Sequence, residues 1–286
     1  MKTTMLGFLA ESAIHCGAGR SAGIIDLPVA REAATDYPFV PGSGVKGALR
    51  DRAERLGRAD VNELFGREDH AGKLLLSDAR LLLLPVRSLT GSYRWVTSPL
   101  LLERYRRDCA RCGLPAKLSA VRVASTGDAP GALAPGRGTL YLEERELTIT
   151  GACPSEVIEA IGPLVRHDDT RKRIASQLVI VGDDELAWFC RYAVPVQARN
   201  VLDKDGSKRS KNLWYEESLP QDTLLYTLAM ARDDAAQDAV TEMFPDRDPY
   251  LQLGGNETVG QGWVAVALQL GTATGHDRAS SRGGAA

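Results

Sequence analysis

Segments of strand length and segments of helix period follow one another irregularly along this chain, and that irregularity constrains the fold more than any single motif. A doubly wound parallel sheet requires strand and helix to alternate in regular βαβα order. Here residues 5–14 are apolar with few breakers, which predicts a buried strand, but a small-residue loop at 17–23 follows it instead of a helix. Further strands are expected within 73–86 (one or two) and at 139–149, 178–181, 223–230 and 263–270. Helices are expected from Ser43 or Gly44 to Leu56 with Ser43 as N-cap, from Pro99 to about Arg111, and over 154–165 and 233–244. Residues 186–201 lead into a charged, turn-rich tip at 203–209 and return through Leu213-Trp214-Tyr215, the pattern of a long hairpin. The class predicted is α+β, with that hairpin extending from the body.

Composition narrows the function. A length of 286 residues suits two units of roughly 150, or one α+β body with large insertions. The 44% hydrophobic content supplies a sizeable core. A formal net charge of -2 argues against a freestanding, strongly basic nucleic-acid binder, whose pI usually exceeds about 9. The charge is uneven, however. Six arginines in 87–111 face only Glu103 and Asp108, and five basic residues in 199–211 face only Asp203 and Asp205. No stretch is apolar over the roughly 20 residues that span a bilayer, and the N-terminus lacks a signal peptide's apolar region. Five cysteines at unpatterned spacing read as reduced thiols, so the expected address is the cytoplasm, with no membrane partner.

Few motifs carry chemistry. Gly42-x-Gly44-x-x-Gly47 has the form of a dinucleotide fingerprint, but the proline-flanked segment before it is a poor central strand. What remains is a helix N-terminus with glycine-exposed amides and Lys46 one turn in. That is either an anion site or plain capping beside a solvated lysine. Lys46 and Arg50, four apart, share a helix face. Cys109-x-x-Cys112 has no second ligand pair and reads as structural. His167-Asp168-Asp169 reads as a charged helix terminus. A basic hairpin tip with Trp214 and Tyr215 at its base suits contact with a single strand or a bent duplex, or is a solvated loop. Asp26 is the most unusual acid, set among apolar neighbours on an irregular loop. Such a carboxylate can hold a divalent metal or take a proton, although an exposed loop acid is the plainer reading.

Five motifs occur in order: 24–32 (IIDLPVARE), 41–50 (PGSGVKGALR), 85–89 (PVRSL) with 95–97 (WVT), 213–220 (LWYEESLP) and 254–262 (GGNETVGQG). Together they resemble the RAMP superfamily of CRISPR proteins, most closely the repeating backbone subunit of type III-B (Cmr) interference complexes. The resemblance covers residues 1 to about 270 and implies a modified ferredoxin-like (RRM-like) palm over 1–270. A β-hairpin thumb at about 199–217 would belong to it, with 271–286 a disordered tail outside it.

It further implies copies stacked in a helical filament on a CRISPR RNA guide, together with other Cmr subunits. Target single-stranded RNA would be cut at regular intervals, with a divalent metal expected to be Mg2+. Asp26 stands at the position of the family's catalytic, metal-binding aspartate. RNA contacts are expected from His15, Arg20, Gly42, Ser43, Lys46, Arg50, Arg199, Lys204, Lys208, Gly255, Asn256 and Thr258. The resemblance leaves open a non-cleaving structural guide-binding subunit and a RAMP endonuclease that processes guide precursors.

Overall fold

A computed structural model describes residues 1–19, 23–125, 129–202 and 210–271. Its first half runs β1 (Lys2–Ala10), β2 (Phe39–Val40), α1 (Gly42–Arg55), α2 (Val61–Phe65), β3 (Leu74–Leu76), β4 (Ala79–Ser88), β5 (Gly91–Thr97) and α3 (Pro99–Cys112). Then come β6 (Gly131–Leu133), β7 (Gly138–Leu142), β8 (Arg145–Gly151), α4 (Ser155–Ile161), α5 (Asp168–Gln177), β9 (Leu178–Val181) and α6 (Asp183–Tyr192). The last elements are β10 (Val196–Leu202), β11 (Ser210–Glu217), β12 (Leu224–Ala231), α7 (Asp234–Glu242), β13 (Tyr250–Gln252) and β14 (Trp263–Leu270). The architecture is mixed α and β, built on one large sheet.

β1 is central because both of its faces are covered. Leu6, Phe8 and Ala10 join Val45 and Leu49 of α1 and Ala236 and Val240 of α7 in one core cluster. Met5 and Leu9 join Leu102, Tyr105 and Cys109 of α3 in another. Two buried faces explain the continuous apolar run, since a half-exposed strand would alternate with polar residues. Gly7 fits here because an added Cβ would come within 2.3 Å of the Leu164 carbonyl oxygen.

β1 lies antiparallel between β12 and β14, and β12 pairs with the first half of β4, giving the order β14-β1-β12-β4. α1 falls in the crossover from β1 to β4, and α7 in that from β12 to β14. The second half of β4 leads through β5, β9, β6, β8 and β7 back to β4 at Ser88 and Leu142. The β5–β9 and β6–β8 pairings are parallel.

Three expectations are corrected, and one helix is added. The helix expected from Ser43 begins at Gly42, and Ser43 caps nothing; the Asp78 carboxylate accepts the Gly42 N–H at 2.7 Å instead. The single strand expected over 139–149 is a hairpin, because Glu143 turns the chain at φ +47°. The hairpin does not reach back to Leu186: residues 183–192 form α6, with Asp183, Asp184 and Glu185 in its first turn and Leu186, Phe189 and Cys190 buried. Those buried positions are three and four apart, which is helix period. The hairpin proper is a separate two-stranded sheet of β10 and β11, residues 196–202 and 210–217. Finally, His167 does flank a helix terminus, but the helix that follows, α5, was not anticipated.

Candidate active site at the base of the hairpin

The Asp26 loop is held by β11. Tyr215 donates its N–H to Asp26 Oδ2 at 2.8 Å, and its carbonyl accepts the Leu27 N–H at 3.1 Å. Glu217 donates its N–H to the Leu27 carbonyl at 3.0 Å. Residues 26–27 thus lie against β11 as a short parallel addition, with Leu27 opposite Glu216. Pro28 offers no N–H, which suits a segment paired along one edge. Asp26 itself is exposed, as is Ile24 beside it.

Asp26 lines a cleft of about 460 Å³ with Arg199, Val201, Asn212, Trp214, Glu216 and Asn256. Positions 199 and 201 of β10 and 212, 214 and 216 of β11 share one face of the hairpin by strand alternation. Glu216 is buried, and its charge is matched by Arg199, whose Nη1 donates to both carboxylate oxygens at 3.0 and 3.1 Å. The Asn256 amide also donates to Glu216 and, at 2.9 Å, to Gln261 Oε1. Among the described lining residues, Asp26 is therefore the one charge without an opposite partner.

His15 and the 254–262 loop close one side. The His15 Nδ1 lies 2.7 Å from the Glu217 carbonyl oxygen, which calls for a proton on Nδ1, and the His15 carbonyl accepts the Gly255 N–H at 2.9 Å. Gly254, at φ +82°, lies so close that a Cβ there would sit 2.3 Å from the His15 carbonyl oxygen. Asn256 takes the left-handed conformation at φ +63°, which aims its amide at Glu216. Thr258 is exposed on a single turn whose neighbour Glu257 binds Arg55 of α1 at 2.7 Å.

The structure brings His15, Asp26, Arg199, Gly255 and Asn256 together. It sets the α1 residues in a different depression, formed with the 65–72 loop. Lys46 is exposed there. Arg50 is committed within the chain, donating to the Gly66 carbonyl at 2.8 Å, Asn62 Oδ1 at 2.8 Å and Glu54 at 2.9 Å. The Gly42 amide is engaged by Asp78, so both Arg50 and Gly42 already have partners within the chain, while Ser43 stays exposed on the first turn. Arg20, Lys204 and Lys208 lie outside the described residues, as does the tail beyond 271.

Cys109 and Cys112 face the core, where burial pushes their thiols up to about 11 and about 12. Neither presents a thiolate near neutral pH.

Sequence reasoning missed Glu216, Glu217 and Arg31. Glu217 is buried; its Oε2 accepts the Val29 N–H at 3.0 Å and its Oε1 binds Arg31 at 2.6 Å. The available signal was two adjacent acids directly after Leu213-Trp214-Tyr215 and before Ser218-Leu219, because carboxylates are almost never fully buried without partners.

The class follows from the sequence profile of the RAMP superfamily, which matches residues 8–265: this chain belongs to the RAMP superfamily. Within it, the chain is 30% identical to the CRISPR system Cmr endoribonuclease Cmr4 of Pyrococcus furiosus, across 96% of this chain and 98% of that one. Its fold matches the crystal structure of oligomeric Cmr4 from Pyrococcus furiosus with a TM-score of 0.74 at 28% identity, covering 95% and 99% of the two chains. A chain of the type III-B Cmr-beta complex bound to cognate target RNA shares the fold at 19% identity and a TM-score of 0.73, covering 93% of this chain and 96% of that one. Together these set the chain beside the Cmr4 proteins within the RAMP superfamily. Among the described residues, no helix is long and apolar enough to cross a membrane.

Proposed function

We propose that this chain is a backbone subunit of a cytoplasmic type III-B CRISPR ribonucleoprotein, which binds CRISPR RNA and cuts complementary target RNA at regular intervals. The carrying observation is that Asp26 stands exposed and, among the described residues, without an opposite charge at a cleft between the hairpin and the 254–262 loop. The kinship with an endoribonuclease and an oligomeric relative supports copies of the chain assembling on RNA with other Cmr subunits. The strand order β14-β1-β12-β4 with two crossover helices supports reading that half as a ferredoxin-like palm, and the β10–β11 hairpin as its thumb.

The reaction needs little from the protein beyond placement. The RNA 2′-hydroxyl attacks the adjacent phosphorus while the bond to the 5′ oxygen breaks. The products are a 2′,3′-cyclic phosphate and a 5′-hydroxyl. The proton leaves O2′ toward Asp26, and water supplies one to the departing 5′ oxygen. Holding the three reacting atoms in line contributes up to roughly 7–11 kcal/mol in favourable cases.

Among the described residues no three His, Cys, Asp or Glu side chains gather as a metal cage. Asp26, with Oδ2 on the Tyr215 amide, suits magnesium, which binds through one or two carboxylates plus substrate phosphates. Bound by Asp26 and RNA phosphate, Mg2+ would neutralise charge developing on the phosphate. In that alternative Asp26 places the cation instead of taking the O2′ proton, and Lys46 supplies a guide-phosphate contact from α1.

The test is a reconstituted complex carrying Asp26→Asn, with product ends mapped against the guide. Assembly and guide binding stay intact while cutting falls by on the order of 10²-fold or more, the usual weight of a positioned acid–base group. Undiminished cutting removes Asp26 from the site.

A further inference from the structure

The loop that carries Asp26 has no regular element of its own to hold it in place, so its position depends on the few groups that anchor it. Tyr215 holds Asp26 and Leu27, the 16–18 segment holds Pro28 and Ala30, and Glu217 supplies three further anchors. Its N–H holds the Leu27 carbonyl at 3.0 Å, its Oε2 accepts the Val29 N–H at 3.0 Å, and its Oε1 binds Arg31 at 2.6 Å. Arg31 then reaches outward, donating through Nη1 to the Asp36 carbonyl at 2.9 Å and the Cys190 carbonyl at 2.8 Å. One ion pair thus ties three pieces together: the loop, the C-terminal turn of α6 and the base of β11. The Glu217 side chain is 3% exposed and that of Arg31 17%, and neither lines the cleft. Whatever they do for chemistry, they do through Asp26.

We propose that Arg31 and Glu217 form the positioning pair for the Asp26 carboxylate, an inference that rests on reading Asp26 as the cleavage residue. The pair fixes the register in which residues 26–27 lie against β11, and with it the Tyr215 N–H bond to Asp26 Oδ2. A loop freed to shift by about 1 Å loses on the order of 10²-fold in rate, because positioning is most of what the site contributes.

The experiment uses the full chain reconstituted with guide RNA and the other complex subunits, carrying Glu217→Gln, Arg31→Lys or Asp26→Asn. Single-turnover cutting is measured at saturating complementary RNA with Mg2+, alongside target Kd, assembly, and deuterium uptake at the Leu27 and Val29 amides. Glu217→Gln retains an acceptor for Val29 but loses the charge that holds Arg31. It is expected to lower the saturated rate about 10- to 100-fold, leave Kd within about twofold, and speed exchange at Leu27 and Val29 while β1 stays protected. Arg31→Lys, which keeps the charge but gives up the carbonyl contacts, is expected to lose less.

A wild-type saturated rate in Glu217→Gln overturns the inference. So does a rate loss matched by equal losses of assembly and guide binding, which marks an ordinary structural role. If Glu217→Gln fails to assemble, Arg31→Lys decides by the same readouts. Should Asp26→Asn cut normally, it is the site reading that fails; should it be inactive while Glu217→Gln cuts normally, only the positioning pair fails.

Discussion

Glu216 and Glu217 are neighbours in β11 and both buried, yet the pleat of the strand sends their carboxylates to opposite sides. Glu216 faces the cleft and meets Arg199 and Asn256, while Glu217 faces the body and meets Arg31 and the Val29 amide. One dipeptide therefore anchors three segments distant in sequence: the Asp26 loop, the hairpin's other strand and the 254–262 loop. Two buried acids side by side are tolerated because each has its own cation and amide partner.

Removing one partner exposes that dependence. Arg199→Ala leaves the Glu216 carboxylate buried with only the Asn256 amide, and is expected to cost about 3 kcal/mol of stability, the usual scale for breaking a buried pair. Adding Glu216→Gln should recover most of the loss, because the stranded charge is gone. Denaturant midpoints of the two variants test this, and equal midpoints contradict it.

Lys46 and Arg50 share a helix face but are expected to part in behaviour. Lys46→Ala should lower the salt slope of single-strand RNA binding by roughly 0.7, one phosphate's worth, without changing stability. Arg50→Ala should leave the slope alone and destabilise the fold by about 1–2 kcal/mol, since its guanidinium holds the Gly66 carbonyl and Asn62. Binding isotherms at several salt concentrations, paired with melting curves, separate the two.

Gly254 combines a left-handed φ of +82° with backbone contact to His15. Gly254→Ala meets both the conformational penalty and a 2.3 Å clash. An expected loss of roughly 2 kcal/mol or more follows, with the 254–262 loop and His15 displaced together. Gly47→Ala, with nothing within 4 Å, is the matched control and should be neutral or slightly stabilising.

The cysteines give a pH signature. Burial raises Cys16, Cys112 and Cys190 to about 12 and Cys109 and Cys153 to about 11, from an ordinary thiol value of 9.0. The unfolded chain thus gives up these protons first as pH rises. Their contribution is complete below pH 9.0 and is lost through the window from there to about 12. The denaturation midpoint should hold between about pH 7 and 8.5 and fall by about pH 10.5. Thiol alkylation should stay slow until the protein unfolds.

Much was legible in the sequence wherever local physics decides. The apolar run before Ala10, the Ser98-Pro99 helix start and the Asp233 cap, whose carboxylate accepts the Ala236 N–H, each carry their own signal. Asp26, His15 and Asn256 were singled out by the family resemblance, and the fold gathers them. What was illegible depended on partners far along the chain. That Asp78, not Ser43, satisfies the first amide of α1 is a contact across 36 residues. That Arg50 is spent on the 62–66 segment can be known only once α2 has packed beside α1.

The sequence by itself determined the α+β class, most element positions, the kinship and the aspartate that stands out, because periodicity, capping and ordered motifs are properties of the chain. Tertiary structure alone decided which charges are free. Arg199 and Arg31 are bound to buried acids and Arg50 to a neighbouring loop, whereas among the described residues Asp26 has an amide partner and no cation, and it lies open to the cleft. Whether a charge is spent or available depends on what the fold places within about 3 Å of it, and spacing along a chain does not record that.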